Sequence, residues 1–269
     1  MHASRHSTWD DHEITDDWGP AMIAAGKGQL LEDGQRAFFE YWPLTGPPEE
    51  PRRVYRNVTW GPHAELFILD CRQYRAAHED HDDNAATTVQ MGHILGDAQK
   101  EWLLKSLAAS TATWKFICTS VPLSYPTGFP VPEETGFDGW ADGNPDGLGG
   151  PEEELNSIFE LLRDRSITGI IFISGDVHFP FAIAYDPFKT GTPLFYEIGC
   201  TPFHALCLPP PEGGPRDLTF NPTTLFQAGT FASDLLNFGH IVISDEAKFT
   251  LNIRDVNGES LYCLELPAP

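Results

Sequence analysis

Basic residues are scarce in this sequence. Its 269 residues include 17 Lys and Arg against 39 Asp and Glu, which gives a formal net charge of -22 at pH 7. A surface that binds nucleic acid needs clustered Lys and Arg to neutralise phosphates, and the sequence contains no basic run. We therefore expect no nucleic-acid binding surface. The acidic excess either keeps the protein soluble or supplies carboxylates that bind cations, and both explanations can hold together.

Other common signatures are also missing. The five Cys residues include no CxxC pair, which argues against a dense disulfide framework and a four-cysteine zinc site. No apolar run reaches the roughly 18 residues of a membrane-spanning helix, and residues 1–20 contain no apolar stretch of a signal peptide. The motifs HExxH, GxSxG, GxGxxG and the P-loop are absent, which disfavours zincins, serine hydrolases, dinucleotide enzymes and P-loop NTPases. Compartment and oligomeric state stay open.

The composition is otherwise that of a folded globular protein. Hydrophobic residues make up 41% and aromatic residues 12% of the chain, which excludes disorder along its whole length. A chain of 269 residues suits one large domain or two small ones. We predict a single domain over residues 1–269.

Hydrophobic periodicity predicts helices that alternate with buried strands through residue 175, after which strands dominate. The predicted helices are 19–44, a helix capped by Asp97, and a helix that starts at Pro151. The predicted strands are 53–60, 64–70, 114–118, 170–173, 180–185, 193–199, 239–244, 248–254 and 260–266. Residues 78–95 and 122–150 are predicted loops, and a Pro-rich stretch, 209–222, precedes the last three strands. This order predicts an α/β or α+β layered domain.

One candidate for chemistry is the segment Ser174-Gly175-Asp176-Val177-His178. An apolar strand runs into it, and the ligand sites of α/β domains lie at the carboxyl ends of strands. Asp176 and His178 are two residues apart, so an extended chain would project both side chains to one side. They could be two metal ligands or an acid–base pair. The alternative is a structural Asp at a turn beside a packed His.

A second candidate is residues 9–18, in which five acidic residues and a His lie between Trp9 and Trp18. Carboxylates so close together repel one another, and a cation would remove that cost by using them as oxygen ligands. His12 beside them could donate a proton to a leaving-group oxygen. The alternative is a solvated acidic segment. The two Trp count against it, because an exposed tail rarely needs them.

Five stretches, in order along nearly the whole chain, resemble the alkaline phosphatase D (PhoD-like) family of the calcineurin-like metallophosphatases. Each stretch alone is a weak signal, but five in this order are specific. They are Trp9-Asp10-Asp11-His12-Glu13, Leu69-Asp70-Cys71-Arg72-Gln73-Tyr74-Arg75, Leu95-Gly96-Asp97-Ala98-Gln99-Lys100-Glu101-Trp102-Leu103, Gly136-Phe137-Asp138-Gly139-Trp140 and Ser174-Gly175-Asp176-Val177-His178.

The resemblance implies an α/β (α+β) layered sandwich of two mixed β-sheets flanked by helices, with a multinuclear metal centre at the strand ends. It implies a metal-dependent phosphoesterase of the alkaline phosphatase or phosphodiesterase type, in which activated water attacks a phosphate ester. The resemblance suggests iron and calcium as the metals. The implied metal ligands are Asp11, Asp17, Asp176 and His178, and the implied catalytic residues are His12 and Arg72. Arg72 would either support the phosphate or hold its own loop.

Two motifs that the resemblance implies are not found. In this family a strand carrying Asp-x-His or Asp-x-Cys and a strand carrying Gly-Asp-x-x-Tyr come before the Asp-Asp-His-Glu motif. Only eight residues precede Trp9 here, so neither motif is present. We therefore expect this chain to lack the first strands of the fold and to have little phosphatase activity by itself. The alternative function is a non-catalytic metal-binding or interaction module derived from the phosphatase fold.

Overall fold

A computed structural model describes residues 5–76, 92–125, 127, 138–141, 148–215, 217–231 and 235–269. The helices are α1 (Ala21–Ala24), α2 (Gly28–Tyr41), α3 (Gly96–Ala109) and α4 (Gly150–Asp164). The strands are β1 (Arg56–Trp60), β2 (Ala64–Ile68), β3 (Trp114–Cys118), β4 (Ile170–Ser174), β5 (Phe181–Tyr185), β6 (Phe195–Gly199), β7 (Pro222–Gln227), β8 (Asn237–Ile243), β9 (Phe249–Asp255) and β10 (Ser260–Leu266). Most of the two long predicted loops lies outside the described residues.

A mixed sheet of seven strands forms the centre of the molecule, in the order β1-β2-β3-β4-β6-β5-β7. Strands β2, β3, β4 and β6 are parallel neighbours, whereas β1 pairs antiparallel with β2, and β5 pairs antiparallel with β6 and β7. The four parallel strands therefore end at the same edge of the sheet, where α/β domains place their ligand sites.

The two faces of this sheet are covered by different elements. Consecutive strand residues point to opposite faces, so Phe172 of β4 joins the core under the helices while Ile171 joins the core under the small sheet. On the helix side, Phe159 of α4 packs edge-on against Phe172 at 6.1 Å between ring centroids. On the other side, Phe249 of β9 packs against Trp114 of β3 at 5.2 Å. The layers are thus helices, seven strands and three strands.

Helix α4 shows how the local sequence directs this packing. Pro151 lies in its first turn, where a missing N–H costs nothing, and Glu152 and Glu153 lie near the positive end of the helix dipole. Leu155 and Leu162 lie seven residues apart, on one stripe of the helix, and both are fully buried. Among the described residues, no helix has both the length and the apolar character that crossing a bilayer requires.

The three-stranded sheet, in the order β10-β9-β8, is antiparallel throughout, whereas the resemblance implied a mixed sheet. Its strands follow one another directly along the chain through short turns, and short turns join antiparallel strands. Gly258, with a φ of 82°, supplies the left-handed residue of the turn between β9 and β10. The layered α/β architecture that the sequence predicts is confirmed.

Three elements differ in detail from the prediction. The helix expected over 19–44 is interrupted, because the chain turns at Gly26 with a φ of 76° between α1 and α2. Asp97 lies in the first turn of α3, and Leu95 occupies the capping position that was expected for Asp97. Strand β7 was not predicted; its sequence, Pro-Thr-Thr-Leu-Phe-Gln, has too few apolar residues to show a strand pattern.

Candidate active site

The two candidate segments meet at the carboxyl edge of the parallel strands. Asp70 and Arg72 follow the end of β2, and Asp176 follows the end of β4. The segment of residues 9–18 is fastened to the same edge: Thr8 Oγ1 donates to the Leu69 carbonyl at 2.6 Å, and Trp9 Nε1 donates to Asp70 Oδ1 at 2.8 Å. Residues far apart in the sequence therefore share one site.

Two buried Trp side chains give residues 9–18 a fixed shape. Trp9 and Trp18 pack edge to face at 5.0 Å, and Trp9 also packs against Phe38 of α2 at 4.9 Å. Trp18 Nε1 donates to the Asp10 carbonyl at 2.7 Å, which closes the segment into a loop. Both Trp are at most 1% exposed, so this is an ordered loop with a small core of its own.

Two carboxylates of this loop and one from the turn after β4 lie close together. Asp10, Asp11 and Asp176 each present an oxygen, and these oxygens lie within 4.8 Å of one another. A second group within the same limit contains Asp11, His12 and Asp16. The structure thus brings Asp11 and Asp176 together as predicted. The predicted ligands Asp17 and His178 are adjacent to these clusters in sequence, and they fall outside both groups.

The electrostatics show that negative charge is crowded here. Burial raises the pKa of Asp10 to about 6, even though Arg72 lowers it. Burial, together with the charges of Asp138 and Asp16, raises the pKa of Asp17 to about 7. Burial and the charge of Asp10 also raise the pKa of Asp176 well above its usual value. The positive charge of Arg72 does not fully neutralise this cluster.

Arg72 is fully buried among carboxylates. Its Nε and Nη2 donate to Asp10 Oδ1 at 2.9 and 2.7 Å, and its Nη1 donates to Asp138 Oδ1 at 2.9 Å. Arg75 also pairs with Asp138. Burial alone would raise the pKa of Asp138, but Arg75 and Arg72 outweigh it and hold that pKa below its usual value. Of the two roles expected for Arg72, these contacts favour holding the loop, because its guanidinium has no surface left for a phosphate.

The turn after β4 has an unusual backbone. Asp176 and His178 have φ values of 69° and 59°, in the left-handed region that non-glycine residues rarely adopt. Gly175 N–H donates to the Ser120 carbonyl at 3.1 Å, and Leu208 N–H donates to the His178 carbonyl at 2.9 Å. Such a backbone persists only where its surroundings hold it, and it is common at functional sites.

The side chains of the two histidines differ in their surroundings. His12 is 75% exposed, and its Nε2 lies 3.6 Å from Asp11 Oδ2 and 3.8 Å from Asp16 Oδ1. It is therefore free to reach a bound molecule. His178 Nδ1 is buried and has no hydrogen-bond partner within the described residues. Buried polar atoms are normally paired, so this nitrogen is available for a ligand.

These residues fit a metal ion. Asp10 and Asp176, crowded carboxyl groups with raised pKa values, gain from a nearby cation, and the unpartnered Nδ1 of His178 is a nitrogen donor two residues along the chain from Asp176. Carboxylate oxygens suit calcium and other hard cations, and an added imidazole suits iron, manganese or zinc. Asp11 and Asp176 are the residues that would hold such an ion, with Asp10 next to them and His178 in the same turn as Asp176.

Sequence reasoning missed three residues of this region. Asp10 was part of a recognised motif, but only the fold shows that it lies beside Asp176. Asp138 lies in the predicted loop 122–150, and no pattern in the sequence indicates that it pairs with Arg72 and Arg75. Glu197 of β6 is fully buried next to the β4 strand end. An acidic residue inside the apolar run Phe195–Gly199 was the available signal for it.

Glu197 leads to a prediction about pH. Burial raises the pKa of Glu197 from 4.5 to about 7, while hydrogen bonds from Tyr185 and Ser174 oppose this rise. Its contribution to stability is complete below pH 4.5 and is lost as pH rises through about 7, because the folded state holds this proton more tightly. At about 1.4 kcal/mol per pKa unit, the loss approaches roughly 3 kcal/mol.

Urea unfolding of wild type and Glu197→Gln between pH 5 and 9 measures this loss. We expect the wild-type stability to fall with pH relative to Glu197→Gln, whose neutral amide does not titrate. The difference between the two proteins cancels the titrating groups that do not interact with Glu197, and the two tyrosines that do, Tyr185 and Tyr125, have pKa values raised above their usual range. A difference that stays constant over this range contradicts the prediction.

Known proteins resemble this chain in sequence and in fold. The chain is 27% identical over 205 residues to alkaline phosphatase D of Bacillus subtilis (strain 168), a match that covers 70% of this chain and 33% of that protein. In fold it is similar to a solved structure of PhoD, with a TM-score of 0.64 and 19% identity over 96% of this chain and 51% of that one. It is also similar to purple acid phosphatase PPD1 from yellow lupin (Lupinus luteus) seeds, with a TM-score of 0.51 and 13% identity over 83% and 34% of the two chains.

The two solved structures share the fold at identities too low to show more than that. The chain spans about a third of the Bacillus protein and about half of the PhoD chain. A family model described as PhoD-like phosphatase matches residues 1–243, which is most of the sequence. The match includes the loop of residues 9–18, the buried arginines and the β4 turn. The chain belongs to the PhoD-like phosphatase family.

Proposed function

We propose that the protein takes part in metal-dependent hydrolysis of phosphate esters, as a phosphoric ester hydrolase of the alkaline phosphatase or phosphodiesterase type. The observation that carries this proposal is the convergence of Asp10, Asp11 and Asp176 at the carboxyl edge of the parallel strands. Membership of the PhoD-like family supports a phosphoesterase function. A phosphate ester is the substrate class that follows.

Iron and calcium are the metals that we propose, with Asp11, Asp176, Asp17 and His178 as ligands. A bound metal ion supplies positive charge that offsets the carboxylates, polarises phosphoryl oxygens and acidifies water. Asp11 and Asp176 would contribute negative charge and oxygen ligands, since Asp11 is buried and Asp176 sits in a turn with a left-handed backbone. His178 contributes the nitrogen that lacks a hydrogen-bond partner.

The residues of the chain have separate tasks in this proposal. His12 is exposed beside Asp11, so its protonated ring can donate a proton to the alcohol oxygen as the phosphorus–oxygen bond breaks and water oxygen bonds to phosphorus. Arg72 acts as a positioning residue: its two hydrogen bonds to Asp10 Oδ1 fix that carboxylate beside Asp11. The Asp11 carboxylate lies 3.6 Å from His12 Nε2 and can accept a hydrogen bond from that ring if His12 turns toward it.

We infer that this chain alone turns over phosphate esters poorly. The candidate ligands that the structure describes cluster around one set of carboxylates, Asp10, Asp11 and Asp176. A site with so few ligands would hold its metals less tightly and place them less accurately. The alternative function, a non-catalytic metal-binding or interaction module, shares the same ligands.

A turnover assay tests the proposal. The purified chain is incubated with iron and calcium and with a chromogenic phosphodiester or phosphomonoester. We expect slow hydrolysis above the buffer rate that falls at least about tenfold in His12→Ala, because general acids usually contribute a hundredfold or more. The matched control is His240→Ala, an exposed histidine on β8 of the other sheet, which should keep the wild-type rate.

Each other outcome has a defined meaning. Fast turnover that depends on His12 supports the phosphoesterase and contradicts the inferred impairment. Stoichiometric metal binding with no hydrolysis above the buffer rate favours the non-catalytic module. A chain that binds neither iron, calcium nor Mn²⁺ rules out the proposed metal-dependent function.

A further inference from the structure

Glu197 lies at the centre of a buried hydrogen-bond cluster that the proposed chemistry does not use. Its side chain is fully buried on β6, between β4 and β5. Its Oε1 accepts hydrogen bonds from Ser174 Oγ at 2.7 Å and from the Leu123 N–H at 2.9 Å. Its Oε2 accepts a hydrogen bond from the Tyr185 hydroxyl at 2.6 Å. One carboxylate thus joins three segments of the chain.

Two of these segments lead directly to the candidate site. Ser174 is the last residue of β4, two residues before Asp176. Leu123 follows Pro122, whose carbonyl accepts a hydrogen bond from Trp140 N–H at 3.2 Å, two residues after Asp138. Glu197 therefore supports both the turn that carries Asp176 and the segment that presents Asp138 to Arg72. The third segment, at Tyr185, is the end of β5 and pairs with Phe195 at the start of β6, at the edge of the sheet opposite the candidate site.

The turn needs support of this kind. Asp176 and His178 both have left-handed backbone conformations, which relax unless neighbouring contacts hold them. Gly175 is held by the Ser120 carbonyl, and His178 is held by Leu208 N–H. Ser174 is held from its side chain by Glu197. Among these three contacts, the one to Glu197 comes from the fully buried interior of the sheet.

We propose that Glu197 is a positioning residue, which fixes Ser174 and thereby the conformation of the turn that presents Asp176 and His178. This inference rests on the proposed metal-dependent function for its consequence, tighter metal binding. Its structural content, the anchoring of the turn, is independent of that function. Partners in the second layer around a metal site typically change affinity by about ten- to a hundredfold when removed.

A matched pair of variants separates positioning from general stability. Ser174→Ala and Tyr185→Phe each remove one hydroxyl that donates to the same buried carboxylate, at 2.7 and 2.6 Å. Amide hydrogen exchange of residues 175–178 is measured in both, without metal. We expect Ser174→Ala to speed exchange in this segment about tenfold, the effect of one buried hydrogen bond, and Tyr185→Phe to leave it unchanged. Equal exchange in the two variants overturns the proposal.

Mn²⁺ titration of the same proteins provides the second measurement. We expect Ser174→Ala to bind Mn²⁺ about tenfold more weakly and Tyr185→Phe to stay within about twofold of wild type. Weakening in both variants alike also overturns the proposal. If the wild-type chain binds no Mn²⁺, the proposed function fails at this site, and the exchange result still decides whether Glu197 anchors the turn.

Substitutions of Glu197 complete the test. Glu197→Gln keeps an acceptor oxygen for Ser174 and Leu123, so exchange at residues 175–178 should match wild type. Glu197→Leu removes both bonds and should match or exceed Ser174→Ala. The control is Glu65→Leu: Glu65 is also a buried strand carboxylate that accepts from a serine, Ser110, but it lies near the start of β2, away from the site edge. Faster exchange at 175–178 in Glu65→Leu would point to a general loss of structure.

Discussion

Asp176→Asn is expected to weaken Mn²⁺ binding at least about a hundredfold, more than the ten- to hundredfold loss typical of an outer-layer partner. The reason is that Asp176 supplies one of three carboxylates whose oxygens lie within 4.8 Å of one another. Asn keeps the size of the side chain but loses the negative charge that holds a cation. Isothermal titration of wild type and variant measures the loss, and Asp11→Asn should behave in the same way.

The same substitution should have the opposite effect in the absence of metal. The raised pKa of Asp176 shows that its charged form is disfavoured by burial and by Asp10. Removing that charge should make the metal-free variant at least as stable as the wild type in EDTA. Saturating Mn²⁺, at about a hundred times Kd, should stabilise wild type by about 2.7 kcal/mol.

In a thermal melt, this stabilisation corresponds to a rise in Tm of roughly 5–10 °C. We expect the rise in wild type and in the control Asp245→Asn, an exposed carboxylate in the turn after β8, and no rise in Asp176→Asn. If Mn²⁺ raises the Tm of Asp176→Asn as much as that of wild type, Asp176 is not a ligand.

Arg72→Met is expected to destabilise the fold by about 3–5 kcal/mol, the cost of breaking a buried ion pair and leaving its partner uncompensated. Arg72 is fully buried and donates to Asp10 and Asp138. Asp138 keeps its pair with Arg75, so the unpaired charge is mainly that of Asp10. Urea unfolding at pH 8, above the wild-type Asp10 pKa of about 6, measures the effect.

A double-mutant cycle separates this charge effect from lost packing. Arg72→Met with Asp10→Asn should be clearly less destabilised than the sum of the two single variants, because the uncompensated carboxylate is gone. The control, Lys105→Met, breaks an exposed ion pair with Glu101 on α3 and should change stability little. If the losses of stability in Arg72→Met and Asp10→Asn simply add up, the ion pair between Arg72 and Asp10 makes no contribution to the free energy of unfolding.

The candidate site was predictable in part. The order of the motifs placed Asp11, His12 and Asp176 in one site, and the structure brings Asp11 together with both of the others. The roles of all six predicted site residues stay predictions, as does the single domain over residues 1–269. The pairing of Asp138 with Arg72 and that of Glu197 with Ser174 could not be found from sequence, because the two residues of each pair lie more than 20 residues apart along the chain.

The sequence by itself determined the layered α/β fold, since hydrophobic periodicity specifies which face of each helix and strand is buried. It also determined the family, through five short motifs in a fixed order. The tertiary structure decided which carboxylates meet. Parallel pairing of β2, β3, β4 and β6 brings their carboxyl ends to one edge, where Asp10 reaches Asp176 and Arg72 turns away from solvent toward Asp138. Those contacts depend on strand order and loop packing, which local residue patterns do not encode.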